Sequence, residues 1–167
     1  MNIDGGKFMA IKLDRLDKQI VDLLTTDGRM SSKEMARRIE GATERAVRYR
    51  LNRLIQTGVI AISAIVDPQK IGFPVIADVF LEVDPSRVLE LADLMARYDN
   101  VTYVACSTGE HSISVQIVAR DNRHLYQFVT ETIGRLSGIR RTTTSIVPLI
   151  VKDDAHWRIP ETVIKKE

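Results

Sequence analysis

Between Thr43 and Ile55 the chain carries Arg45, Arg48, Tyr49, Asn52 and Arg53, while Val47, Leu51, Leu54 and Ile55 repeat at helical spacing. In a helix, Arg45, Tyr49 and Asn52 lie roughly opposite that apolar stripe, and Arg48 and Arg53 flank them. The chemistry open to such a face is the reading of base edges. Arginine can donate two parallel hydrogen bonds to guanine, asparagine can pair bidentately with adenine, and the remaining cations can hold phosphates. Taken alone, the helix could equally be an ordinary core helix with a solvated basic face. The surrounding charge favours the first reading. From Arg29 to Arg53 there are eight cations, Lys33 among them, against Glu34, Glu40 and Glu44. Residues 1–60 hold twelve Lys/Arg and eight Asp/Glu, residues 61–167 twelve and fourteen, so the net charge of +2 is polarised toward the first third. Such concentration is an electrostatic footprint for a phosphate backbone. Arg50 lies nearer the buried side and is expected to form an ion pair inside the small domain.

The elements that must position this face are legible around it. Thr43 is an N-cap candidate, and the run Ser31–Ile39 predicts a shorter helix just before it, so the two meet at a tight corner as a helix-turn-helix. Leu13, Leu16, Ile20, Leu23 and Leu24 predict a first helix from Asp14 to about Asp27, where Asp27-Gly28 stops it. Asp14 and Asp17 sit near its positive end. Thr57-Gly58 ends the corner's second helix, and the β-rich run Val59–Val66 predicts a strand or small wing. Asp67-Pro68, Gly72 and Pro74 mark a linker. The first dozen residues, with Gly5-Gly6, read as a loose arm.

From Val75 the periodicity alternates between 2 and 3.6. Val75, Ala77, Val79, Leu81 and Val83 predict a strand, and Pro85 opens a helix with Val88, Leu91, Ala92, Met95 and Tyr98 on one side. Val101–Ser107 and Ser112–Ala119 predict two strands around the turn Thr108-Gly109-Glu110-His111. Leu125, Phe128, Val129, Thr132, Ile133 and Leu136 mark a second helix, and Ile139–Val151 a long last strand. The order βαββαβ is ferredoxin-like. Helices on one face leave the other bare; that face is expected to show Val and Ile and to call for a partner sheet, making the chain an obligate homodimer or higher oligomer. The fold class is therefore α+β, a winged helix-turn-helix followed by a ferredoxin-like domain. Its boundaries are an arm over 1–12, the helix-turn-helix over 13–60, a strand and linker over 61–74, the βαββαβ domain over 75–152 and a tail over 153–167. The tail string His156-Trp157-Arg158-Ile159-Pro160 is expected to pack on a neighbouring subunit.

Composition excludes several classes. A single cysteine, Cys106, allows no internal disulfide, and its apolar neighbours Val104 and Ala105 predict a buried thiol. No apolar run approaches a membrane span and the start lacks a signal-peptide core, so a cytoplasmic location is expected. His111, His124 and His156 show no metal-ligand spacing, no glycine-rich phosphate loop follows a strand, and no nucleophile stands in a recognisable motif. Neither a cofactor nor a catalytic residue is expected.

In this order and spacing, Leu13-Asp14-Arg15-Leu16-Asp17-Lys18-Gln19-Ile20, Asp27-Gly28-Arg29, Glu34-Met35-Ala36-Arg37-Arg38, Val47-Arg48-Tyr49-Arg50-Leu51, Gly58-Val59-Ile60, Asp67-Pro68-Gln69-Lys70-Ile71-Gly72 and Thr142-Thr143-Thr144-Ser145 resemble the Lrp/AsnC (leucine-responsive, feast/famine) transcription regulators. The likeness runs from about Leu13 to Lys152. It implies binding to double-stranded DNA and a small-molecule effector, an amino acid or related metabolite, held between ferredoxin-like domains. One departure is the corner Glu40-Gly41-Ala42-Thr43, a residue longer than the family's usual turn. Another is Gly109-Glu110-His111-Ser112, where the family typically has Gly-Asp-Tyr-Asp. The resemblance implies an effector site at these four residues, with a serine hydroxyl where a second carboxylate could meet an ammonium group. Some tetrapyrrole-processing decarboxylases resemble the same two-module architecture, and His111 would be the proton donor in that alternative. An enzyme, however, has no use for the cation excess on Arg45, Arg48 and Arg53.

Overall fold

The computed structural model describes residues 10–153 and 157–164. Most of the expected N-terminal arm, and His156, lie outside the described residues. The chain forms two compact units, one from the residues up to Ile65 together with the tail from Lys152 onward, the other from Val66 to Val151.

The first unit is built on three helices, α1 (Arg15–Thr26), α2 (Ser32–Arg38) and α3 (Glu44–Gln56). Each starts on a side chain that satisfies an otherwise orphaned backbone N–H: Asp14 for α1, Ser31 for α2 and Thr43 for α3. At α1 the cap is reciprocal. The Asp17 N–H donates to Asp14 Oδ1 and the Asp14 N–H to Asp17 Oδ2, each at 3.0 Å. The longer corner between α2 and α3 is accommodated by Gly41 at φ 73°, a left-handed conformation in which glycine meets no Cβ penalty. Ile20, Met35, Val47 and Leu54 form the fully buried centre.

Two expectations for this unit are corrected. Val59–Val66 forms no strand, because a ladder needs a partner and none of the described residues pairs with it. Ile62, Ile65 and Val66 are left exposed. The tail does not await a neighbouring subunit: Ile159 enters the core of this same unit, and Ile164 forms a parallel bridge with Leu13.

The second unit carries β1 (Val75–Val83), α4 (Val88–Met95), β2 (Val101–Cys106), β3 (Ile113–Ala119), α5 (Asn122–Gln127) and β4 (Ile139–Ile146). Its antiparallel sheet has the order β2-β3-β1-β4 expected of βαββαβ topology. A 3-10 turn at Pro85–Arg87 precedes α4, and α5 runs on through a π turn, Phe128–Thr132, and a 3-10 turn, Ile133–Arg135. Ala77, Val79, Leu81, Val83, Ile113, Val115 and Ile117 project to the helix side and pack with Leu91, Met95, Leu125 and Ile133. The register places Asp78, Phe80 and Glu82 on the opposite face, beside Ser114 and Gln116 of β3 and Arg141, Thr143 and Ser145 of β4. This face is mixed: Ile76 and Val118 pair on it, as the expected valine and isoleucine, while Phe80 and polar side chains make up the rest of the named positions. Most of the branched residues of β1 and β3 are drawn to the helix side by period-2 alternation, Ile76 and Val118 excepted. The last strand stops at Ile146, five residues short of the expected end, and Cys106 is exposed at the end of edge strand β2 where burial was expected.

Candidate nucleic-acid interface and sensor turn

Helix α3 presents the predicted face to solvent. Arg45, Arg48, Tyr49 and Asn52 are all exposed, Tyr49 with 68% of its surface open, while Val47 and Leu54 are fully buried beneath. Arg48 leans on Glu44 at 3.0 Å and Arg38 on Glu34 at 2.6 Å, both one helical turn apart and solvent-exposed. Such pairs are worth a few tenths of a kcal/mol and yield readily to a phosphate. Arg45 and Lys33 make no ion pair with any described residue and are exposed.

Arg53 is placed differently from its neighbours. Its guanidinium turns toward α1 and donates to Asp17 Oδ2 at 2.6 Å. Arg50 meets the same carboxylate at 3.3 Å and Asp14 at 2.6 Å, as the expected internal ion pair. Asp17 has no exposed surface at all. A buried carboxylate would be costly without partners, and here two guanidiniums and a backbone N–H surround it. Burial pulls the Asp14 carboxyl upward, but the Asp17 N–H and Arg50 outweigh it and hold the group below its ordinary value. Arg50 is correspondingly raised: its own desolvation is outweighed by Asp14 and Asp17. The cluster ties α3 to α1, which gives α3 a fixed seat from which to present its outer face. Sequence reasoning assigned Asp14 and Asp17 only a helix-dipole role. The signal for more was two acids three apart on one helix and two arginines three apart on the other.

The turn after β2 gathers the residues singled out for a ligand. Gly109 has φ 141°, Glu110 is exposed, and His111 and Ser112 are half-buried. The Ser112 N–H donates to the Leu81 carbonyl and the Ser107 N–H to the Ser112 carbonyl, both at 2.9 Å, while Ser107 Oγ donates to the His111 carbonyl at 2.7 Å. The His111 ring stacks on Phe80 with centroids 5.1 Å apart, and its Nδ1 is buried without a hydrogen-bond partner among the described residues. Beside Phe80 on the same face, Gln116 Nε2 donates to Asp78 Oδ1 at 3.1 Å. Phe80 and Asp78 were not identified from sequence, since β1 was read only for its apolar positions. No group of three or more His, Cys, Asp or Glu side chains able to hold a metal occurs among the described residues.

Family models fall on both units. The AsnC-type helix-turn-helix domain matches residues 13–55 and the Lrp/AsnC ligand binding domain matches residues 76–157. The chain belongs to the Lrp/AsnC family. An uncharacterised HTH-type transcriptional regulator of Pyrococcus abyssi is 37% identical over 143 residues, covering 85% of this chain and 90% of the relative. The regulator LrpA of Pyrococcus horikoshii is 29% identical over 136 residues, covering 81% and 96%. AsnC of E. coli superposes with a TM-score of 0.78 at 23% identity, over 87% of this chain and 99% of that one, and so shares the fold. As a member of this family the chain is a helix-turn-helix transcriptional regulator that carries the family's ligand-binding domain. No helix among the described residues is long and apolar enough to cross a membrane.

Proposed function

We propose that the chain binds operator DNA through the outer face of α3, that Arg45 and Asn52 read base edges, and that Lys33, Arg48 and Tyr49 hold the backbone. The observation that carries this is the contrast within one helix: Arg45, Tyr49 and Asn52 are exposed, while Arg50 and Arg53 are committed to Asp17. In this assignment Arg53 acts by seating the helix, with at most a secondary contact to phosphate. The ferredoxin-like unit assembles a homodimer or higher oligomer and binds a small effector beside Gly109, Glu110, His111 and Ser112, where an unpaired imidazole nitrogen, an acid and a hydroxyl stand together. A solved relative from Neisseria meningitidis is a complex with L-methionine. For this chain, Ser112 favours an effector without a strong requirement for a second carboxylate. Binding is the whole mechanism; no step requires catalysis, and the site of action is the cytoplasm.

The test is fluorescence anisotropy with fragments selected from a random duplex pool. Binding should fall steeply with salt, because each neutralised phosphate releases counterions. Arg45→Ala or Asn52→Ala should cost about 1–3 kcal/mol and relax preference at one base position, whereas Arg48→Ala should weaken all sequences alike and reduce the salt slope by about one. Absence of binding at low salt refutes the proposal.

A further inference from the structure

The C-terminal segment has no place in the function so far. Residues 158–164 lie beyond both matched family domains. Nevertheless they are part of the DNA-binding unit. Ile159 is only 8% exposed within that unit's core, Ile164 packs against the same cluster and bridges Leu13, and the Glu161 carboxylate meets Lys18 of α1 at 3.2 Å. Asp22 and then Glu161 raise the Lys18 ammonium above its ordinary range. Between the tail and the helices runs a groove of about 700 Å³. Trp157, Pro160 and Val163 of the tail line it together with Val21 and Leu24 of α1 and with Ile62. Apart from Thr25, Ser63 and the Trp157 indole N–H the side chains of its lining are apolar, so the tail and α1 share an apolar surface.

The connectivity gives this contact a consequence. The chain leaves the DNA-binding unit after Ile65, builds the whole sensor unit, and returns at Lys152. The DNA-binding unit is therefore fastened to the sensor by two covalent straps, one entering β1 and one leaving β4. The tail touches α1 and Leu13 and leaves Arg45, Tyr49 and Asn52 exposed. It does not block the reading face.

We propose that Trp157–Ile164 is an intramolecular clasp: by docking on the α1 surface it completes the DNA-binding unit and is required for full operator affinity. The proposal rests on the DNA-binding assignment above for its affinity readout, but cross-linking and melting involve no DNA and stand if that assignment fails.

The experiment uses the full chain with Cys106→Ser, so that engineered thiols are alone. Leu13→Cys with Ile164→Cys should close an intramolecular disulfide under mild oxidation, because a β-bridge brings the backbones within the span of a disulfide. No disulfide, or one found only between chains, overturns the proposal. In parallel, ending the chain at Asp153, or Ile159→Asp, should lower the melting midpoint by about 10 °C and operator affinity at least tenfold. Glu161→Lys, which leaves the core intact, should weaken operator binding by about two- to fivefold through loss of the ion pair with Lys18. Wild-type affinity in all three variants overturns the proposal. So does weaker binding by the oxidised cysteine pair than by its reduced form, since a locked clasp must not impair reading.

Discussion

Replacing Asp17 is the sharpest probe of how the reading helix is held. Its carboxylate is fully buried, accepts from Arg53 at 2.6 Å and from Arg50 at 3.3 Å, and closes the α1 capping box through the Asp14 N–H. Leaving one side of a buried ion pair without its partner costs about 3–5 kcal/mol. Two features reduce that here. The Arg50 and Arg53 side chains are 28% and 32% exposed, so water can reach both, and Arg50 keeps Asp14 at 2.6 Å. Loss of the capping bond adds up to about 1 kcal/mol. Asp17→Ala should therefore destabilise the DNA-binding unit by about 2–4 kcal/mol, and Asp17→Asn, which retains a capping oxygen, by less. Urea unfolding can be followed through Trp157, the chain's one tryptophan, which belongs to the same unit. Replacing both partners, Asp17→Leu with Arg53→Met, should recover much of the loss, because the penalty comes from the stranded charge and not from missing attraction. If Asp17→Ala stays within about 0.5 kcal/mol of the wild type, or the double variant is worse than the single, the view of Asp17 as a buried anchor is wrong.

The acid limb of stability should carry the signature of Asp14. Its lowered pKa means that its contribution is present above the ordinary value of 3.8 and is lost as pH falls through the folded value, so in pH-dependent melting Asp14→Asn should flatten that limb and lower the neutral-to-alkaline plateau without changing its slope. Effector binding should raise the melting point of the wild type, and Glu110→Ala and Ser112→Ala should remove that rise; a metabolite whose stabilisation survives both substitutions binds elsewhere. Light scattering at micromolar concentration should report a dimer or larger, and paired α3 helices should then select near-palindromic sites with centres roughly 34 Å apart; a well-behaved monomer refutes this.

The secondary structure was legible because capping and periodicity agree in this chain. Asp14, Ser31 and Thr43 begin their helices where side-chain chemistry requires, and alternation in β1 and β3 sends most of the branched residues to one face. Three features were not legible, for different physical reasons. Val59–Val66 has strand propensity, but a strand is a property of a pair, and no described residue supplies the other half. Cys106 has apolar neighbours in sequence, yet it ends an edge strand, where position in the sheet overrides composition. Arg53 shares the residue type and helix of the base-reading candidates, and only the opposing position of Asp17 decides its role. Of the candidate site, α3's exposed face followed from the helical wheel. The contact between His111 and Phe80 needed the register of β1 against β3, which no local pattern encodes.

The bridge between Leu13 and Ile164 also constrains the order of events during synthesis. The three helices emerge from the ribosome first and can bury Ile20, Met35, Val47 and Leu54 on their own, because those contacts are local. Ile159 arrives only after residues 66–151 have been translated. The nascent DNA-binding unit must therefore wait, its apolar furrow open to water, while the whole sensor is made. During that interval it is the part of the polypeptide most vulnerable to capture by chaperones or to association with other unfinished chains. A ribosome that stops between codons 152 and 157 would release a protein with intact helices and sheet but an unfinished seam along α1.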